Sequence, residues 1–240
     1  SVSGWGAALN VDGVLAGYDA SKWGVELGSN VAMLQGEAYS DVGVPLQTGQ
    51  FGSTITGTAD NDVFNGKAGN DTLIGGAGSD VAQVFAADAA SVTFGRAAVT
   101  NALTVTTSYT GTDTLSGVEM VRAMGLDGSS LKTFVMVDEF ASLAAAITAA
   151  PNGAMLVKAG PLNVSLVDAA SALTKGLSYY GPDAVTINAS AADLLAAGPS
   201  LGQMRASGVD TFTTTDVISK AEYDILVTNT GSAGSIVLPS

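Results

Sequence analysis

Apolar and polar positions along this chain keep three different rhythms. Between residues 48 and 83 single apolar residues recur every nine positions, at Ile55, Phe64, Leu73 and Ala82, separated by turns rich in Gly and Asp. Between 84 and 132 the rhythm shortens to two, as in Leu103-Thr104-Val105-Thr106, the alternation of a half-buried strand. Strands are also expected at 91–94 and within 111–121. Beyond 133, strand-like runs at 133–137, 154–158, 184–187 and 209–212 alternate with Ala-rich helical stretches. The first of these helices is predicted over 138–149 with Asp138 as its N-cap. Three more follow Ser165-Leu166-Val167-Asp168, Ser190-Ala191-Ala192-Asp193 and Ser219-Lys220-Ala221-Glu222, each with capping-box spacing. Near the start, Asp12-Gly13 predicts a hairpin turn, and 31–34 a buried strand.

The rhythms divide the chain into a β-rich segment at 1–47, a repeat region with flanking strands at 48–132, and strand–helix units at 133–240. The fold class expected is mainly β with an α/β part. The last region has the pattern of a βα solenoid or a small parallel α/β domain.

The period of nine has a direct physical reading. Written in register, the units run Gly57 to Asn65, Gly66 to Ile74 and Gly75 to Gln83, with Asp62, Asp71 and Asp80 at the sixth position. A degenerate unit, Thr48 to Thr56, precedes them and keeps its apolar residue but carries Ser53 in place of the Asp. A three-residue strand is too short to stand alone, so successive coils must stack. Stacking brings turn carbonyls and Asp carboxylates of successive coils together. Like charges there repel unless a cation lies between them. The small Ala82 suggests that the array ends at that unit.

The segment resembles the RTX nonapeptide repeats, G-G-x-G-x-D-x-U-x with U apolar. That resemblance implies a short parallel β-roll binding Ca2+. It implies metal-binding roles for Asp60, Asp62, Gly69, Asp71, Gly76, Gly78 and Asp80. It places one ion between the turns of Asp62 and Asp80, and leaves Asp71 to pair with the turn before Gly57 or with whatever follows Gln83. The first unit departs from the pattern in having Asp60 at position four and Thr58 at position two. The stretch Gly111 to Val121 resembles what commonly follows such arrays.

Composition narrows the chemistry. The chain has 240 residues, no Cys and no His. Thiol nucleophiles, Cys- or His-ligated metals and His-based catalysis are therefore excluded. Nine Lys+Arg against 22 Asp+Glu give a formal charge of -13, which disfavours nucleic acid and anionic membranes as partners. Seventeen of the acids are Asp, the short-armed ligand of calcium loops. No apolar run is long enough to span a bilayer. Asp138-Glu139 is the only adjacent acid pair, and its expected place is a helix start, not a catalytic pair. Trp5 and Trp23 read as packing residues, with sugar stacking as the alternative.

The function expected is that of a non-enzymatic, calcium-dependent surface protein, such as an S-layer, adhesin or filament subunit. By the same resemblance it would be secreted by a type I route. It would self-associate head to tail, with cell-surface polysaccharide as a further partner. The alternatives are the non-catalytic carboxy-terminal module of a secreted hydrolase and a carbohydrate-binding module.

Overall fold

The computed structural model describes residues 46–47, 52–65 and 68–239. The expected hairpin at 12–13, the strand at 31–34 and both tryptophans lie outside the described residues. The chain is mostly β-strand with some helix and divides into two compact units between Leu131 and Lys132.

In the first unit, the strands from β1 to β5 fall alternately into two sheets. One contains β1 (Leu46–Gln47), β3 (Val63–Asn65), β5 (Val81–Phe85) and β9 (Met120–Met124), all paired in parallel. The other contains β2 (Thr54–Thr56), β4 (Thr72–Ile74) and β8 (Gly111–Ser116), also parallel. The nine-residue period explains the alternation. Each unit moves the chain to the opposite sheet, so Val63 pairs with Val81 and Thr54 with Thr72. The eighth-position residues then form two columns, Ile55–Leu73–Leu115 and Phe64–Ala82–Val121, and every member is buried.

Parallel pairing therefore continues past Ala82, contrary to the expected end there. Its small side chain lies in register between Phe64 and Val121, which supply bulk on either side. Before the chain rejoins the array at β8 it makes β6 (Thr93–Arg96) and β7 (Leu103–Thr107), and β7 pairs antiparallel with both β6 and β8.

The second unit contains two parallel sets of strands. One is β10 (Ser130–Met136), β11 (Met155–Val157) and β13 (Ser178–Tyr179). The other is β12 (Leu162–Val164), β14 (Val185–Ala189), β15 (Thr211–Thr214) and β16 (Ile236–Val237). Helices α1 (Leu143–Ala149), α2 (Leu166–Thr174), α3 (Ala191–Ala197), α4 (Ser200–Ala206) and α5 (Lys220–Thr230) intervene. Val185, Ile187, Phe212, Leu194, Leu201 and Leu226 are buried in this unit.

Two expectations here need correction. Asp138 does not cap α1: it lies in a 3-10 turn, Val137–Glu139, and its carboxylate pairs with Lys158. The cap is Ser142, whose hydroxyl accepts the Ala145 N–H. Of the three expected capping boxes, only Ser219/Glu222 closes in both directions. Asp168 and Asp193 bond the hydroxyls of Ser165 and Ser190, because a side chain one methylene shorter than Glu stops short of the N-cap main chain. No helix among the described residues is long and apolar enough to cross a membrane.

Candidate metal centre

The sixth-position carboxylates are drawn inside the first unit. Asp62, Asp71 and Asp80 are each no more than 1% exposed. The positions of the turns that lead into them explain why. Gly69, Gly76 and Gly78 adopt φ of +143°, +110° and +115°, which side-chain-bearing residues resist. A Cβ on Gly76 would overlap the Thr58 carbonyl oxygen of the neighbouring coil, and one on Gly78 the carbonyl oxygen of Asp60. The stacked turns thus approach backbone to backbone.

The carboxylates form two ladders, one along each side. On the first, the Asp62 N–H donates to Asp80 Oδ1 at 2.8 Å, and the Asp80 N–H donates to Glu119 Oε2 at 2.6 Å. On the second, the Ser53 N–H donates to Asp71 Oδ1 at 2.8 Å, and the Asp71 N–H donates to Asp113 Oδ1 at 2.9 Å. Asp62 Oδ2 accepts both the N–H and the hydroxyl of Thr58. Asp60, by contrast, is exposed, and its side chain stands outside the buried ladders while its carbonyl packs on Gly78.

Two ladder atoms are left over. Asp80 Oδ2 and Asp113 Oδ2 are buried and receive no hydrogen bond. An unpaired buried carboxylate is costly. Burial accordingly pushes the Asp80 carboxyl up to about 6, with the charges of Glu119 and Asp62 adding to it against the Asp62 N–H bond. Burial pushes Asp113 up to about 7, with Asp71 adding to it against the Asp71 N–H bond.

Such a site has two ways to relieve its charge, a proton or a hard cation. Oxygen donors alone, from carboxylates and turn carbonyls, suit calcium. No three acidic side chains converge on one point among the described residues. Along each ladder the carboxylates follow one another in single file, so a bound ion would take its other oxygens from the turn backbone.

Asp113 and Glu119 were not foreseen as site residues, though a signal for Asp113 exists. Asp71-Thr72-Leu73 recurs as Asp113-Thr114-Leu115, followed in both cases by a Gly two residues later.

Comparison with known proteins agrees with the chemistry of this segment. Residues 48–82 match the family model of the RTX calcium-binding nonapeptide repeat, in four copies. The chain carries RTX repeats, and their cofactor is Ca2+. The four copies include the degenerate unit from Thr48 to Thr56. No curated protein and no solved structure matches the chain.

Proposed function

We propose that this is a secreted, non-enzymatic structural or surface-interaction protein whose repeat region is a calcium β-roll that orders on meeting calcium outside the cell. The observation that carries the reading is the buried, unpartnered Asp80 Oδ2, one rung from Asp62 in a ladder of like charges. Asp62 and Asp80 would hold the ion together with carbonyls of their turns. The ion would supply the positive charge that the ladder lacks.

The coupling follows from linkage. At low calcium the folded array bears the cost of crowding its carboxylates. At millimolar calcium, binding to the native form alone stabilises it by mass action. Proteins with such repeats are expected in compartments where calcium is abundant, which supports the secreted reading.

Self-association is the second part of the proposal. In the second unit β16 is the last strand of its parallel sheet among the described residues, and Val237 within it and Leu238 after it are exposed apolar residues. Parallel strands stacked in this way can be continued by a further copy added head to tail.

The test is far-UV circular dichroism and melting in chelator and in millimolar calcium, with sedimentation velocity on the same samples. Calcium should raise the melting temperature, restore β signal and increase particle size with concentration. Indifference of the spectrum and the melting temperature to calcium would overturn the calcium reading. A monomer at all concentrations would overturn the assembly reading alone.

A further inference from the structure

We propose that residues 111–115, outside the matched repeats, complete a second calcium site with the turn of Asp71, and that the ion held there fastens the inserted hairpin β6–β7 to the array. The inference rests on the reading of the repeats as calcium-binding and extends it to residues that the repeat pattern does not reach.

The argument is an equivalence of contacts. Where the turns of Asp62 and Asp80 stack, four relations recur: the Asp62 N–H bonds Asp80 Oδ1, the Val81 N–H bonds the Asp62 carbonyl, the Ser79 N–H bonds Asn61 Oδ1, and Gly78 lies against the Asp60 carbonyl. The turns of Asp71 and Asp113 repeat all four. The Asp71 N–H bonds Asp113 Oδ1, the Thr114 N–H bonds the Asp71 carbonyl, the Thr112 N–H bonds Asn70 Oδ1, and Gly111 lies against the Gly69 carbonyl. Gly111 and Gly78 also share a positive φ, +86° and +115°. Gly111-Thr112-Asp113-Thr114-Leu115 therefore occupies positions four to eight of a nonapeptide in space.

An independent feature points to a ligand. Asp113 is fully buried, and its Oδ2 receives no hydrogen bond, as at Asp80. The other ladder ends differently. Asp80 follows Gly75 by five positions, but Glu119 follows Gly117 by only two. The last turn is three residues shorter, so Glu119 closes its ladder without a full turn around it. At Asp113, by contrast, positions four to eight are all present.

The consequence concerns the insertion. Asp62 and Asp80 are eighteen residues apart, whereas Asp71 and Asp113 are forty-two apart. The intervening segment contains β6 and β7, and β7 pairs with β8 from Gly111 to Leu115, Val105 lying opposite Asp113. An ion bridging the two turns closes that long loop at its base.

The test uses the full chain and calcium alone. Titration calorimetry on Asp113→Asn should show one ion fewer than the wild type, or one ion bound at least about tenfold more weakly. The amide oxygen can still accept the Asp71 N–H, which preserves the ladder. In 1H–15N spectra of the wild type, calcium should shift the amides of 69–71 and 111–113 as well as those of 60–62 and 78–80. In the variant only the latter set should respond. If Asp113→Asn fails to fold, the wild-type spectra decide. Unmoved 111–113 amides beside responding 60–62 and 78–80 amides, or unchanged ion number and affinity in the variant, overturn this inference and leave the repeat reading intact. No calcium response anywhere overturns both.

Discussion

The main-chain N–H of Asp62 donates to Asp80 Oδ1 at 2.8 Å across eighteen residues, while the other oxygen of Asp80 is buried without a partner. One carboxylate thus does two jobs: it registers adjacent coils and presents a charge for an ion. Asp80→Asn separates them, because the amide oxygen still accepts the N–H but the charge is gone. In calcium the variant should melt lower than the wild type, with affinity weakened about tenfold or more. In chelator the order should reverse, since the variant no longer buries an unpaired charge. Melting curves of both proteins in both conditions check this crossing.

The pH response of the metal-free chain follows from the same crowding. Asp80 titrates at about 6 and Asp113 at about 7 in the folded protein, above the ordinary 3.8, chiefly through burial. A carboxyl raised by folding binds its proton more tightly in the native state. The resulting stability is fully present below pH 3.8 and is lost as pH rises through about 6 to 7. In chelator the first unit should therefore melt lower at pH 8 than at pH 5. With saturating calcium the trend should flatten or invert, because protons then compete with the ion. A metal-free melting temperature that rises from pH 5 to pH 8 would refute the assignment of these two groups.

The parts legible in the sequence are those where one position repeats without interruption. Ile55, Phe64 and Leu73 could be placed in the core, and Asp62 opposite Asp80, because a strict period of nine leaves one register that buries the eighth position of every unit. The period breaks after Gln83, and with it the view of Asp113, although Asp113-Thr114-Leu115 copies Asp71-Thr72-Leu73. An insertion hides a partner that only topology restores. Asp138 was misplaced for a different reason. A cap is read from local spacing, but its carboxylate is claimed by Lys158, twenty residues on, and Ser142 takes the cap. Helix α4 was not expected from the sequence: Gly198 ends α3, and the adjacent Pro199 is already the N-cap of α4.

Close approach of turns makes a further prediction. A Cβ on Gly75 would overlap the Gly117 carbonyl oxygen of the neighbouring coil and the Asp80 carboxylate of its own unit. Gly75→Ala should therefore cost about 3 kcal/mol or more and weaken calcium binding together with stability. Gly160→Ala is the control: nothing lies within 4 Å of its added Cβ, so its effect should stay within about 0.5 kcal/mol. Chemical denaturation of the two variants in calcium gives the comparison. Equal costs would mean that the turns have room to part.

The second unit uses a buried carboxylate with no need of metal. Asp183 is only 3% exposed, and it accepts the Lys158 N–H at 2.6 Å and the Gly160 N–H at 2.9 Å, each on its own oxygen. The exposed Asp210 and Asp216 make the same kind of main-chain bond, accepting the Val185 N–H and the Ala191 N–H, each 25 residues away. Here the carboxylate replaces a ladder bond between successive strand–helix turns. Asp183→Ala strips the acceptor from two main-chain donors at once, at a cost of roughly 1–3 kcal/mol for each donor left buried. The loss should be the same in calcium and in chelator, unlike that of Asp80→Asn. Differential scanning calorimetry of Asp183→Ala with and without calcium tests this. A calcium-dependent loss would refute this metal-free role of Asp183.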